Sequence, residues 1–318
     1  GTNMAGVILY NDLKRYLITN APFELNHTIE SVKIIEPSSP MPTQVTLYGS
    51  VTEQAALLPE ISNPTVKRIY CMAITDPTSG FNDGQPSSWS AAVDKISAEG
   101  KKRLFIISGG NVEEGELKTS GYPNACLNKS IEDPAQAWNA LTVGAYSIDS
   151  TIQPGRETKG YYPVAQYGEL SPYSSTSNEW KTQWPIKPEV VCDGGNVASD
   201  GTNFIQGMDE LSKLTLSKDI NRRLFDTIWA TSAATAQCSY IAAELMAAYP
   251  SMRPETLRAL IVHSARWTTQ MINQFGVPDT KSQGRKKLLR TCGYGVPNLE
   301  IAKDTLNNRV NMIVEGEL

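Results

Sequence analysis

Ser232 is the first candidate for chemistry, because it opens an alanine-rich stretch, residues 232–248, that predicts a helix. Unpaired backbone N–H groups and the helix dipole favour negative charge at such a position, as in acyl transfer. A serine there can also serve simply as the N-cap of the helix, through its hydroxyl. The stretch by itself leaves both interpretations open.

A second candidate is Ser108-Gly109-Gly110-Asn111, which follows the apolar, strand-like residues 104–107. Small residues at the carboxyl end of a strand let the backbone approach a ligand, and an asparagine amide can donate to an oxyanion. The alternative is an ordinary turn, with asparagine in a left-handed conformation.

Both segments resemble motifs of the subtilisin-like serine peptidases, or subtilases. Residues 230–236 resemble the Gly-Thr-Ser-x-Ala-x-Pro signature around the nucleophile, and residues 108–111 resemble a Ser-Ala-Gly-Asn segment. The resemblance implies that Ser232 is the nucleophile and that Asn111 is the oxyanion donor. It further implies a set of substrate-binding residues: Met72, Ala73, Ile74, Thr75, Ser108, Gly109 and Gly110.

Two further motifs follow the family order. Residues 1–6, Gly-Thr-Asn-Met-Ala-Gly, resemble a His-Gly-Thr-x-x-Ala-Gly motif without its histidine. Residues 187–191 with 194–196 resemble a Lys-Pro-Asp-(Val/Ile) segment and the turn after it. With weaker likenesses over residues 137–145, 170–174 and 249–265, the resemblance covers nearly the whole chain.

The departures from the family pattern fall into two classes. Ala230, Ala236 and Gly109 stand where the family has Gly, Pro and Ala. The residues at these positions therefore remain small, but a proline is lost. The larger departure is that the catalytic histidine and aspartate of the family belong upstream of the first residue. His27 and His263 are interpreted as structural residues rather than substitute bases.

We therefore expect residues 1–309 to form a subtilase catalytic domain without its Asp- and His-bearing strands, inactive by itself, and residues 310–318 to begin a further segment. The alternative is a non-catalytic module that binds peptides. Another class of serine acyl hydrolase is not favoured, because no Gly-x-Ser-x-Gly elbow surrounds Ser232.

Apolar runs of strand length alternate with helical patterns along the chain, which predicts an α/β fold: three layers, a doubly wound and mainly parallel sheet, and helices on both faces. The absent aspartate strand predicts a gap in the sheet between strands 31–35 and 68–74, unless another segment fills it. The predicted strands cover residues 31–35, 68–74, 104–107, 141–145, 189–191 and 310–318. The predicted helices cover residues 4–17, 51–58, 89–96, 208–216, 232–248 and 254–264.

Composition restricts the partners. Hydrophobic residues are 40% and charged residues 19% of the 318, which suits a globular chain, and a net charge of −4 disfavours nucleic acid. No apolar run is long enough to cross a membrane. Five dispersed cysteines suggest no metal and no cofactor, and favour a reducing, cytoplasmic location. A peptide or protein substrate is the expected partner, besides the missing amino-terminal segment or further domains of the same protein.

Overall fold

The computed structural model describes residues 1–34, 47–78, 83–99, 102–153, 155, 158–276, 283–307, 313 and 315. Its helices are α1 (Thr2–Tyr10), α2 (Leu13–Thr19), α3 (Tyr48–Ser62), α4 (Ser88–Ala98), α5 (Glu114–Ser120), α6 (Asn124–Asn128), α7 (Ala230–Ala248), α8 (Pro254–Ser264), α9 (Thr269–Phe275), α10 (Gln283–Cys292) and α11 (Leu299–Asn307). Its strands are β1 (Ile69–Met72), β2 (Leu104–Ser108), β3 (Leu141–Tyr146), β4 (Tyr162–Pro163), β5 (Val190–Asp193), β6 (Ala198–Ser199), β7 (Phe204–Ile205), β8 (Lys213–Leu216) and β9 (Phe225–Ile228).

The central sheet is parallel, with the strand order β1-β2-β3-β5. Side chains of β2 alternate between its two faces: Leu104 and Ile106 pack in the cluster that contains α7 and α8, whereas Phe105 and Ile107 pack in the cluster that contains α4. A strand that is buried on both sides reads as a continuous apolar run. The predicted α/β fold, with helices on both faces of a parallel sheet, is confirmed.

Helix α7 lies across this sheet and contacts all four strands. Ala233, Ala234 and Ala242 are completely buried against the strands. Alanine has the highest helix propensity and the smallest side chain that can be buried, so this sequence forms a helix that approaches the sheet closely. The first residues of α7 consequently lie at the carboxyl edge of the strands, where Ala230 donates its N–H to Gly194 at 2.8 Å.

The predicted helix over residues 208–216 is wrong. A short 3-10 helix, Asp209–Leu211, is followed by β8, which pairs antiparallel with β9 in a hairpin. In β8 the buried Lys213 and Thr215 alternate with half-buried leucines, which is the two-residue period of a strand. The hairpin contacts α1, and the hydroxyl of Thr215 donates to the carbonyl of Asn3 at 2.5 Å.

The predicted strand over residues 31–35 is also wrong for its described part. Residues 31–34 belong to no ladder, and Val32 is 46% exposed, while residue 35 lies outside the described part of the chain. Within the described ranges β1 is therefore the edge of the central sheet. Within the described ranges no strand runs beside residues 31–34, and a strand requires such a neighbour for its backbone hydrogen bonds.

Two other predicted elements differ from the structure. The single helix predicted over residues 4–17 is divided, because Asn11 takes a left-handed φ of 57° and Asp12 caps α2 by accepting the N–H of Arg15 at 3.4 Å. Of the strand predicted over residues 310–318, only Ile313 and Glu315 are described, and neither is in a strand. The remainder of that segment lies outside the described residues.

No helix in the described ranges is both long and apolar enough to span a bilayer. All five cysteines are unpaired, and four of them are fully enclosed in the core. Burial raises the pKa of Cys71 to about 11, because a thiolate is poorly stabilised away from water.

Candidate active site

Asn111 is fixed by the residue that precedes the candidate nucleophile. Its Oδ1 accepts two hydrogen bonds from Thr231, one from the backbone N–H at 3.0 Å and one from the hydroxyl at 2.6 Å. A backbone N–H requires an acceptor, so the amide oxygen, and not the nitrogen, must face Thr231. The Nδ2 group of Asn111 is therefore directed away from Thr231 and is available as a donor.

Ser232 is the third residue of α7 and is half-buried. The N–H groups of Ala230 and Thr231 are taken by Gly194 and Asn111, which leaves the N–H of Ser232 in the unpaired first turn. Within the described residues nothing hydrogen-bonds to the Ser232 hydroxyl. The site therefore presents a hydroxyl, a backbone donor and an amide donor within two adjacent elements.

The turn into α7 needs an unusual backbone. Ala230 has φ 66°, a left-handed conformation that favours glycine. Gly194 lies directly beneath it, and a Cβ on Gly194 would come within 2.5 Å of the Ala145 side chain and 2.9 Å of the Ala230 carbonyl oxygen. Only glycine fits at position 194, so this part of the glycine turn noted in the sequence has a steric role.

A buried ion pair supports this turn. Asp193 accepts the N–H of Gly195 at 3.1 Å through Oδ1, and its Oδ2 lies 3.1 Å from the Nζ of Lys213. Both charged side chains are about 95% buried, with 5% and 6% exposed. The pair ties the β8–β9 hairpin to the carboxyl end of β5, where the chain crosses under α7.

Among the described residues neither histidine contacts Ser232. The Nε2 of His27 lies 2.7 Å from the Ile8 carbonyl, and its Nδ1 lies 3.5 Å from Glu244. Glu244 is twelve residues after Ser232 on the same helix, which is about 18 Å along the axis. His263 is exposed on α8, which packs beside α7 on the same face of the sheet. Both histidines therefore have structural or surface positions, as interpreted from the sequence.

Residues 72–75, which are predicted to bind the substrate, comprise the end of β1 and the three residues after it. Met72 is its last ladder residue and packs in the core beside α4, whereas Ala73, Ile74 and Thr75 follow outside any ladder and are half-buried. The Thr75 hydroxyl donates to the Oε2 of Glu132 at 2.6 Å. Met72 pairs with Ile107 on one side only, because β1 is the edge strand within the described ranges. The substrate-binding role of residues 72–75 stays a prediction.

The oxyanion segment continues the neighbouring strand β2. Ser108 is a buried ladder residue. Gly109 donates its N–H to the Val143 carbonyl at 2.9 Å, and Gly110 has φ 99° and a carbonyl oxygen 3.2 Å from the Thr231 hydroxyl. The absence of side chains at both glycines lets other groups pack against them: a Cβ on Gly109 would lie 3.0 Å from the Ile131 side chain, and one on Gly110 would lie 2.6 Å from that of Glu132.

The Lys187-Pro188-Glu189 motif lies at the opposite edge of the sheet and is structural. Lys187 is completely buried and contacts Glu189 at 2.7 Å, and Arg258 contacts the same carboxylate at 2.8 Å. The other oxygen of Glu189 accepts the N–H of Thr142 at 2.7 Å. Burial lowers the pKa of Lys187, although the nearby Glu189 carboxylate opposes this shift.

Three residues that matter in this geometry were not identified from the sequence. Thr231 stands in the nucleophile motif, yet its bonds to Asn111 depend on a residue 120 positions away. Gly194 belongs to a recognised turn without an assigned role. Glu132 has no sequence signal at all, because it reaches Thr75 only through the fold. Among the described residues, no group of three His, Cys, Asp or Glu could hold a metal ion.

The sequence matches the model of the Subtilase family, peptidase S8, over residues 1–295. An uncharacterized protein, y4bN of Sinorhizobium fredii (strain NBRC 101917 / NGR234), is 26% identical over 269 residues, which cover 79% of this chain and 59% of that protein. The chain thus spans about three-fifths of the length of this relative.

Two solved structures of proteases are partly similar. The prenylagaramide maturation protease PagA has 17% sequence identity and a TM-score of 0.49, over 87% of this chain and 72% of that one. The self-cleaved protease domain of PatA has 17% identity and a TM-score of 0.46, over 81% and 66%. The family assignment rests on the family model, which covers most of the chain.

Proposed function

Because the chain belongs to the subtilase family, we propose that it carries the nucleophile and the oxyanion donor of a serine endopeptidase. Ser232 attacks the carbonyl of a peptide bond and forms an acyl-enzyme, and Asn111 stabilises the resulting oxyanion. The observation that carries this proposal is the pair of hydrogen bonds from Thr231 to Asn111. These bonds hold the amide of Asn111 next to the residue that bears the nucleophilic hydroxyl.

The electrostatics of the helix start support the same role. In this proposal the N–H of Ser232 and the Nδ2 of Asn111 are the two donors to the oxyanion, and the dipole of the 19-residue α7 adds positive potential at this end. Donors that are fixed before the reaction stabilise charge without reorganisation. The extended substrate runs along Ala73, Ile74 and Thr75, with Gly109 and Gly110 on its other side.

The second part of the proposal concerns the base. Of the two histidines in the 318 residues, His27 has its Nε2 2.7 Å from the Ile8 carbonyl, and His263 is exposed on α8. Without a base to accept its proton, the Ser232 hydroxyl is an ordinary alcohol. We propose that residues outside Gly1–Leu318 supply the histidine and aspartate, and that residues 1–318 bind an extended peptide without cleaving it.

Fluorophosphonate labelling tests both parts. Residues 1–318 should show no labelling that depends on Ser232, whereas a longer polypeptide that includes the family's Asp and His motifs before Gly1 should label at Ser232 and cleave peptides. In that longer polypeptide Asn111→Ala should lower kcat about 100- to 1000-fold, the loss known for the equivalent donor of a subtilisin, a member of this family. Rapid Ser232-dependent labelling of residues 1–318 would contradict the absence of a base.

A non-catalytic peptide-binding module is the second candidate. The unpartnered Ser232 hydroxyl favours it, since a serine without a base can bind but not react. The two functions differ in the longer polypeptide: a binding module stays unlabelled there, and its Ser232→Ala variant binds peptides as tightly as the unaltered chain.

A further inference from the structure

A cavity of about 660 Å³ lies at the amino-terminal edge of the central sheet, opposite to the edge that carries Asn111 and Ser232. Leu104, the first residue of β2, lines it, and one face of α8 forms a wall. Its apolar lining includes Ala98, Leu104, Pro185, Ile186, Ala259 and Val262. The volume is within the range of about 300 to 1,000 Å³ that is usual for small-molecule sites, which are mostly apolar with a few polar groups.

Arg258 of α8 is a polar group of this cavity that keeps unused donors. Its Nη1 donates to the carbonyl of Asn139 at 3.1 Å, and its Nη2 donates to the carbonyl of Trp138 at 3.0 Å and to the Oε1 of Glu189 at 2.8 Å. A guanidinium group has five N–H groups, and nothing in the described part of the chain accepts the other two. The side chain is 28% exposed and lines the cavity, so these donors are open to a ligand.

The charges beneath the cavity leave an excess of positive charge at Arg258. Glu189 is the shared carboxylate of two cations, Arg258 and the fully buried Lys187. Two positive charges and one negative charge give this group of three a total of +1. Burial lowers the pKa of Lys187, the Glu189 carboxylate opposes this shift, and the charge of Arg258 adds to it. The two cations therefore repel each other, and a further anion beside Arg258 would relieve the repulsion.

Other nearby charges do not remove this excess from the cavity. Arg103 also lines the cavity, but its guanidinium donates twice to Glu60, at 2.7 Å and 2.9 Å. Asp94 opposes the lowered pKa of Lys187, and its oxygens accept the N–H groups of residues 138 and 139 at 3.1 Å and 2.6 Å. Because the carbonyls of the same two residues bind Arg258, their backbone separates Asp94 from the cavity.

An exposed ion pair spans two walls of the cavity. The Nζ of Lys102, two residues before β2, lies 3.0 Å from the Oε1 of Glu255 in the first turn of α8. The two side chains are 50% and 54% exposed, so their pair contributes little to stability and another anion can compete with Glu255. Lys102 is thereby a second cation for a ligand.

We propose that this cavity binds a small molecule that has an apolar chain and a carboxylate. The carboxylate binds Arg258 and Lys102, and the chain packs against the apolar walls. Hydrogen bonds between a guanidinium group and a carboxylate are charge-assisted and stronger than neutral ones. The inference does not depend on the proposed function, because the cavity lies at the other edge of the sheet and includes none of residues 108–111 or 230–232.

Binding of alkyl probes to residues 1–318 tests the inference, with affinities measured by isothermal titration calorimetry. Decanoate has both the chain and the negative charge. Decanamide has nearly the same shape without the charge, decylamine is positively charged at neutral pH, and acetate lacks the chain. We expect decanoate to bind about tenfold more tightly than decanamide, and decylamine and acetate to bind most weakly.

Three charge variants test the residues that bind the carboxylate. Arg258→Gln leaves Lys187 and Glu189 as a balanced pair, so it should reduce decanoate to the affinity of decanamide. Glu255→Gln removes the competitor for Lys102 and should raise the affinity for decanoate about two- to fivefold, whereas Lys102→Gln should lower it by a similar factor. Circular dichroism checks the fold of each variant, and the comparison of decanoate with decanamide in the unaltered chain needs no variant.

A tryptophan that fills the cavity tests the location. Ala259 is exposed and lines the cavity, so Ala259→Trp should abolish decanoate binding. Ala247→Trp is the matched control, because Ala247 is an exposed residue of α7 that does not line the cavity. This control should bind decanoate as tightly as the unaltered chain.

The outcomes leave the proposed function untouched, since fluorophosphonate labelling tests that function separately. Equal affinities for decanoate and decanamide overturn the selection of a carboxylate. Decanoate binding that survives both Arg258→Gln and Ala259→Trp overturns the location, and failure of decanoate to bind overturns the inference as a whole.

Discussion

Asn111 and Thr231 are joined by two hydrogen bonds, although they lie 120 residues apart in the sequence. Asn111 ends the segment after β2, and Thr231 is the second residue of α7. The bonds connect the sheet edge to the helix start and orient the amide nitrogen of Asn111 in one direction. A movement of α7 would therefore move Asn111 and Ser232, the proposed oxyanion donor and nucleophile, together.

Thr231→Val should weaken this connection and destabilise the protein. The Thr231 side chain is fully buried, and its hydroxyl donates to Asn111 and lies within bonding distance of the Gly110 carbonyl. Valine keeps the shape but leaves these acceptors short of a donor, which costs about 1 to 3 kcal/mol in the free energy of unfolding. Urea titration measures the effect. Thr231→Ser keeps the hydroxyl and should lose less, and equal losses for both variants would contradict the assigned role of the hydrogen bonds.

The left-handed backbone of Ala230 predicts an unusual order of stability among variants at this position. With φ 66°, alanine is strained by about 1 to 2 kcal/mol, which Ala230→Gly relieves, less the contribution of one buried methyl group. The Ala230→Gly variant should therefore be at least as stable as the unaltered protein, and the Ala230→Val variant should be the least stable of the three. At an ordinary helix position glycine loses about 1 kcal/mol relative to alanine. Thermal unfolding of the three proteins decides between these orders.

Removing one of the buried charges at the other edge of the sheet should cause a large loss of stability. Glu189→Gln leaves the fully buried Lys187 with no carboxylate and with Arg258 close by, so the free energy of unfolding should fall by about 3 to 5 kcal/mol. The matched control is Glu255→Gln, since Glu255 and Lys102 form a pair with about half of each side chain exposed. This surface pair should contribute less than about 1 kcal/mol. Similar losses in both variants would show that burial does not determine the contribution.

The sequence predicted the central fold well where each strand is buried on both faces. The apolar runs of β1, β2 and β3 and the alanine-rich α7 have little choice of structure, because their local pattern and their burial agree. The prediction failed at β8, where Lys213 is buried in a strand and its charge is compensated by Asp193, a residue distant in sequence. It also failed at residues 31–34, whose strand pattern finds no neighbouring strand within the described chain.

The candidate site could be predicted only in part. Family motifs identify Ser232 and Asn111, because each motif is contiguous in the sequence. The contacts of Glu132 with Thr75 and Gly109 join residues that are 57 and 23 positions apart, and no local pattern reports such contacts. The left-handed backbone of Ala230 was hidden as well, since alanine at this position suggests an ordinary first turn.

Glu132 should make the stability of the protein depend on pH in the weakly acidic range. Burial raises the pKa of its carboxyl group above 4.5, although the Thr75 hydroxyl and Lys129 oppose this shift, and Glu113 adds to it. Between 4.5 and the raised value the folded state binds more protons than the unfolded state, so stability is lost as pH rises through this window. In Glu132→Gln this loss should be absent. Urea titrations of both proteins between about pH 4 and pH 7 give the difference.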